Sequence, residues 1–185
     1  MNQPMICAWT ITHPLDRIYH DTEWGKPVYD DRILFEFLTL EGAQAGLSWL
    51  TILKKREGYR QAFSDYDLAV LARYDDSQID AIVAQFDVVK HRGKISSVFS
   101  NARAALALQA EYGSLSQVLW SFVGGAPILN QWQDGGQIPS TSEESQAMSK
   151  FLKQKGFKFV GPTICYAFMQ AVGMVNDHLL HCPHR

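Results

Sequence analysis

Hydrophobic residues recur along this chain at intervals of three and four, a spacing that gathers them on one face of an α-helix. Ile33, Leu34, Phe37 and Leu38 form one such face, with Asp31 placed to cap it. Leu47, Leu50 and Leu53 share a second, and Ile79, Ile82, Val83 and Phe86 mark a third. Ile95, Val98, Phe99, Ala102, Ala105 and Leu106 predict an amphipathic helix of about four turns that stops at Tyr112 and Gly113. Leu115, Val118, Leu119 and Phe122 predict a short helix ending at Gly124 and Gly125. Pro127 to Pro139 has little periodicity and reads as an irregular connection; the stretch 124–139, with Trp132 inside it, could separate two lobes. Thr141 with Glu144 fits a capping box for a helix that buries Met148, Phe151 and Leu152 and stops at Gly156. Pro162 suits the first turn of a last helix carrying Ile164, Cys165, Phe168, Met169 and Val172 and ending at Gly173. No run alternates for long enough to predict a sheet, so the expected class is all-α.

Composition narrows the picture. A chain of 185 residues, 46% hydrophobic and 19% charged, suits one well-cored globular domain over 1–185. No stretch approaches the ~18 apolar residues of a membrane helix, and Met1 to Thr10 has no signal-peptide pattern, so no membrane association and a cytoplasmic location are expected. Three cysteines without dense spacing fit a reducing compartment, and Cys165, in an apolar run, reads as core. A net charge of −2 argues against wholesale coating of nucleic acid, yet the charge is uneven. Val88 to Arg103 and Ala147 to Val160 hold eight of the 17 Lys and Arg with no acid among them, enough for a local surface that tracks phosphates or for two solvated helix faces.

Three segments carry candidate chemistry. Cys7 and His20 near one end, with His178 and Cys182 near the other, suggest one closed Cys2His2 zinc site; with four protein ligands and no open position, that zinc would be structural. His181 and His184 compete as ligands, and core thiols with surface imidazoles are the plainer alternative. The run Asp87–Val88–Val89–Lys90–His91–Arg92–Gly93, followed by Lys94, joins two predicted helices. Free N–H groups at a helix N-terminus, with Arg92 and Lys94 beside them, make an anion site, although an ordinary helical corner has the same outline. Leu40 to Trp49 sets a single carboxylate, Glu41, among small and apolar residues, where desolvation is costly unless a cation or N–H donor satisfies it; capping a helix is the plainer role. Trp9, Tyr19, Trp24 and Trp49 offer flat surfaces on which a base could stack, or serve as core.

Taken together, Cys7-Ala8-Trp9, Tyr19 to Gly25, Leu40 to Trp49, His91-Arg92-Gly93-Lys94, Phe157 to Gly161 and Asn176-Asp177-His178 resemble the 3-methyladenine DNA glycosylase I (Tag) family, over nearly the whole chain and in the family's order. The resemblance implies a helix-hairpin-helix glycosylase fold whose termini are tied by zinc on Cys7, His20, His178 and Cys182. It implies base-excision repair of alkylated double-stranded DNA by removal of flipped-out 3-methyladenine. By the same match Glu41 and Tyr19 hydrogen-bond the base, Trp49 stacks on it, and Trp9 and Trp24 wall the pocket. Gly46 and Leu47 meet the gap left by the flipped nucleotide, with Leu47 as a wedge, and Arg92, Gly93 and Lys94 meet phosphates. The family carries no Schiff-base lysine, so a monofunctional hydrolase, expected as a monomer, follows. Asp87 departs from the pattern, standing where a glycine precedes the hairpin, and a carboxylate there would weaken a phosphate contact. Two other classes remain to be told apart. A zinc deaminase needs an open zinc and a His-x-Glu with Pro-Cys-x-x-Cys, which this chain lacks; a DNA-binding module has no use for an acid in an aromatic pocket.

Overall fold

The structure, a computed structural model, describes residues 6–185. Nine α-helices account for most of the described chain: α1 (Pro14–Thr22), α2 (Asp31–Gln44), α3 (Trp49–Ala62), α4 (Leu68–Leu71), α5 (Ile79–Gln85), α6 (Arg92–Tyr112), α7 (Leu115–Ser121), α8 (Glu143–Gln154) and α9 (Pro162–Ala171). Seven of them answer to the predicted faces, whereas α1 and α4 were not predicted, and neither was a small pair of strands. The two-residue strands β1 (Ile128–Leu129) and β2 (Val175–Asn176) pair in parallel, Ile128 opposite Val175 and Leu129 opposite Asn176.

Helix α2 is the axis of the fold. Every residue from Leu34 to Ala43 is buried, so it is enclosed on all sides rather than amphipathic. Helices α3, α6, α7 and α9 pack against it. Burial all round forces its two acids into the interior, and their surroundings differ. Glu36 accepts from Arg56 Nε at 2.8 Å and Arg60 Nε at 3.0 Å, both on α3. Arg56 also donates to Glu23 at 2.8 Å and lies over the Phe37 ring, so its charge is fully engaged. Glu41 has no such neighbour.

Several helix boundaries differ from expectation by one residue. Asp30, not Asp31, caps α2, accepting from Ile33 N at 3.0 Å. Asp31 caps α7 instead, its carboxylate accepting from Leu115 N at 2.9 Å and Ser116 N at 2.7 Å. The capping box of α8 is Ser142 with Ser145 rather than Thr141 with Glu144. Leu47 precedes α3 in an exposed turn instead of joining its buried face. Helix α6 runs 21 residues, longer than the expected four turns, because His91 caps it by accepting from Lys94 N at 3.1 Å.

The irregular stretch 124–139 does not part the molecule into lobes. Asp177, fully buried beside β2, accepts from Asn130 Nδ2 and Trp132 Nε1 (2.7 Å each), from the Tyr166 hydroxyl at 2.6 Å and from Gln170 Nε2 at 2.9 Å. Four donors on one carboxylate compensate its desolvation and fasten the irregular segment to α9. Buried apolar residues from Cys7 to Cys182 form one contiguous core.

Candidate active site

Between the N-terminal segment, α1, α2, α3 and α9 lies a pocket of about 550 Å³. Trp9, Tyr19, Trp24 and Trp49 all line it, together with Glu41, so the five residues singled out for base contact converge on one cavity. Trp9 meets Trp24 edge-on at 5.2 Å between ring centroids, and Tyr19 meets Trp49 at 5.3 Å, giving continuous aromatic walls. Five further lining residues were not signalled by any motif: Gly135 and Ile138, from the irregular stretch; Ala167 and Gln170, on α9; and Leu179, just after His178. The helical spacing of Ala167 and Gln170 on α9 is the one local signal that could have paired any of them.

Several polar groups of the pocket lack protein partners. The Tyr19 hydroxyl and the Trp49 indole N–H are buried and make no hydrogen bond. Among the described residues the one other such side-chain atom is the Tyr66 hydroxyl, away from this pocket. Burial pushes the Glu41 carboxyl up to about 8, with no neighbouring cation or donor to oppose it. Burial, with Glu41 nearby, also holds the Tyr19 hydroxyl well above its ordinary range, so Tyr19 is a neutral donor. Leaving several buried polar groups unmatched costs stability unless a ligand supplies the missing partners.

Behind the pocket lies a second constellation. Cys7, His20, His178 and Cys182 are all buried, and one ligand atom from each lies within 4.8 Å of the others. Cys182 Sγ stands 3.5 Å from His178 Nδ1 and 3.6 Å from His20 Nε2, and Cys7 Sγ stands 4.0 Å from His178 Nδ1. Bonds of zinc length in a tetrahedron place ligand atoms roughly 3.3–3.8 Å apart, so two of these separations match and the third is slightly wider, and the donor set suits such an ion. His181 and His184, the competing candidates, are not in the cluster. Each imidazole is aimed by its other nitrogen: His20 Nδ1 contacts Asp21 Oδ1 at 2.7 Å, and His178 Nε2 contacts the Trp24 carbonyl at 2.9 Å. Gly25 sits so close that a Cβ there would lie 2.9 Å from the His178 ring. Trp24 stacks on His20 and meets His178 edge-on at 4.7 Å, and Cys7 lines the pocket as well as the cluster.

The remaining predicted residues sit at the pocket's margin. Gly46, with φ of +80° and open space around it, and Leu47, 40% exposed, form the turn between pocket residues Gln44 and Trp49. Gly93 opens α6 after the hairpin 86–91. Arg92 is exposed and pairs with Asp80, while Lys94 turns inward, donating to the carbonyls of Ala43 at 2.9 Å and Ala45 at 2.7 Å. Lys94 thus caps the C-terminus of α2, and its charge complements the negative end of that helix. Asp87 is paired with Lys55, which answers the charge problem it posed.

The comparisons with known proteins agree. The methyladenine glycosylase family matches residues 9–185. The chain is 46% identical over 177 residues to a DNA-3-methyladenine glycosylase of Haemophilus influenzae, covering 96% of each chain. It superposes on the crystal structure of a 3-methyladenine DNA glycosylase I with a TM-score of 0.94 at 46% identity, covering 97% of this chain and 98% of that one. On a 3-methyladenine DNA glycosylase I in complex with 3-methyladenine the TM-score is 0.93 at 39% identity, covering 96% of both.

Proposed function

Since this chain belongs to the methyladenine glycosylase family, whose reaction is hydrolysis of an N-glycosyl bond, we propose that it excises 3-methyladenine from alkylated double-stranded DNA after the nucleotide is flipped into the aromatic pocket. The observation that carries this reading is the set of unpartnered polar groups, Glu41, Tyr19 and Trp49, held inside walls of aromatic rings. A flat, N–H-bearing cation satisfies all of it at once: its faces stack, its N–H edge meets Glu41, and its ring nitrogens accept from Tyr19 or Trp49.

Methylation at N3 makes adenine cationic in DNA, so the base departs as a neutral molecule when the bond to the sugar breaks. The leaving group brings its own activation. What the protein supplies is extrusion, orientation and the electrostatics of the pocket, with water as the nucleophile. With its carboxyl near 8, Glu41 is mostly neutral in the empty pocket at pH 7, and a cationic base draws it to the ionised form. Ordinary adenine has no charge to do so. Shape alone distinguishes one methyl group by only ~1–3 kcal/mol, so charge and hydrogen bonding account for the rest of the selectivity. Leu47 on its exposed turn fills the space the base vacates, and Gly46, Arg92, Gly93 and Lys94 approach the backbone, Gly93 and Arg92 through the open N-terminus of α6 and Lys94 by fixing the end of α2 beside the turn.

The Cys7, His20, His178 and Cys182 cluster holds a zinc ion whose part is structural, since four protein donors leave no position for water or substrate. The proposed reaction is hydrolysis by water, with no lyase step. Chromatography of bases released from N-methylated duplex DNA tests the reading. The chain is expected to release 3-methyladenine, and Glu41→Gln to release it at least a hundredfold more slowly, on the order expected for a transition-state electrostatic contact. DNA binding without release would reassign the protein as a binding module. Borohydride trapping during turnover is expected to give no covalent adduct.

A further inference from the structure

Gln170 lines the same pocket from α9, and its orientation is determined by Asp177. A carboxylate only accepts, so the Gln170 amide must present Nε2 to Asp177, where the distance is 2.9 Å. Its carbonyl oxygen is the atom that remains, and among the described residues no protein donor reaches it. Asp177 itself cannot readily reorient, because Asn130, Trp132 and Tyr166 also donate to it. The amide is therefore locked with its acceptor end free.

Resting on the proposed base pocket, we infer that Gln170 is a specificity-determining residue whose carbonyl oxygen accepts a hydrogen bond from the exocyclic amino group of the bound base, with Asp177 as its positioning residue. An amino group has two N–H bonds to give, and the pocket then offers two acceptors, the Glu41 carboxylate and the Gln170 carbonyl. A base with an oxo group at the same place turns an oxygen toward an oxygen. Rejection of an analogue that cannot make the hydrogen bond a site is built for exceeds what shape alone achieves. The discrimination is thus set by the amide's direction, which the buried carboxylate behind it enforces.

The test compares two free bases, 3-methyladenine and 3-methylhypoxanthine, which differ at the exocyclic group, by titration against the tryptophan fluorescence of the pocket. The chain is expected to favour 3-methyladenine, and Gln170→Met, which keeps length and removes both polar ends, to shrink that preference about tenfold. Thermal melting of the variant checks that it is folded. Glu41→Gln, run beside it, weakens binding of 3-methyladenine while Gln170 still disfavours the oxo group. An unchanged ratio in folded Gln170→Met overturns the assignment, and where that variant does not fold, an unchanged ratio in folded Gln170→Leu does the same. Failure of the parent chain to bind or release any methylated base would instead overturn the glycosylase reading itself.

Discussion

Glu36 and Glu41 are five residues apart on one buried helix, and their fates differ because of what faces them. Glu36 is neutralised by two arginines, whereas Glu41 is left to a ligand. That contrast was only half legible in the sequence. Glu41 stood out among small and apolar neighbours, but Glu36, between Phe35 and Phe37, has equally apolar surroundings, and its partners lie 20 and 24 residues downstream. The place of Lys94 was illegible for the same reason, since nothing local says its ammonium turns back to carbonyls some fifty residues earlier. The difference has a measurable sign. A carboxyl with an ordinary value of 4.5 unfolded and about 8 folded keeps its proton in the native chain over a range where the unfolded chain has lost it. Its contribution is fully present below about pH 4.5 and lost as pH rises through about 8, so stability falls across that window. Glu41→Gln should abolish this fall and melt higher than the parent above pH 8, by an amount on the order of a few kcal/mol. Melting curves taken from pH 5 to pH 9 read it directly, and parallel profiles for the two proteins would refute it.

At the level of elements, the hairpin between α5 and α6 depends on a close approach by α3. A Cβ on Gly58 would lie 2.3 Å from the Asp87 carbonyl oxygen, so only glycine lets the helix and the hairpin meet. Gly58→Ala must separate them, and a loss of roughly 2–4 kcal/mol is expected. Because the displaced hairpin leads into the N-terminus of α6, affinity for DNA should fall more than affinity for free base; equal losses would show that the hairpin is not part of the DNA contact. Seven of the nine helices were legible, in order, because burial imposes the 3.6-residue period directly; α1, whose buried face is mostly polar, and the four-residue α4 gave no such signal. Boundaries were not, where neighbouring residues had the same chemistry. Asp30 and Asp31 can each cap a helix, as can Thr141 and Ser142, and the choice falls to distant partners, here the N-terminus of α7, which takes Asp31.

On the scale of the whole molecule, the pocket draws its walls from segments spread between Cys7 and Leu179, and the Cys2His2 cluster stands directly behind it. Trp24 transmits the one to the other through its contacts with both histidines. Zinc analysis of the purified protein is expected to find about one ion per chain, and chelation to lower the melting temperature and abolish base release together. Release that survives metal removal in a chain of unaltered stability would contradict a structural ion. The wall from Gly135 and Ile138 was beyond local reading, because the Asn130 and Trp132 bonds that place this segment reach 47 and 45 residues along the chain to Asp177. The cluster spans further still, with Cys182 joining His20 across 162 positions. Measured in time, at roughly 5–20 residues per second, about 8–30 s of synthesis separate the two halves of that site. Through that interval Cys7 is an unpaired thiol, and Trp24 lacks the His178 ring on which it packs. A ribosome-bound chain that has not yet released residue 182 has no complete cluster, so under the proposed function it should bind no damaged base until that residue emerges.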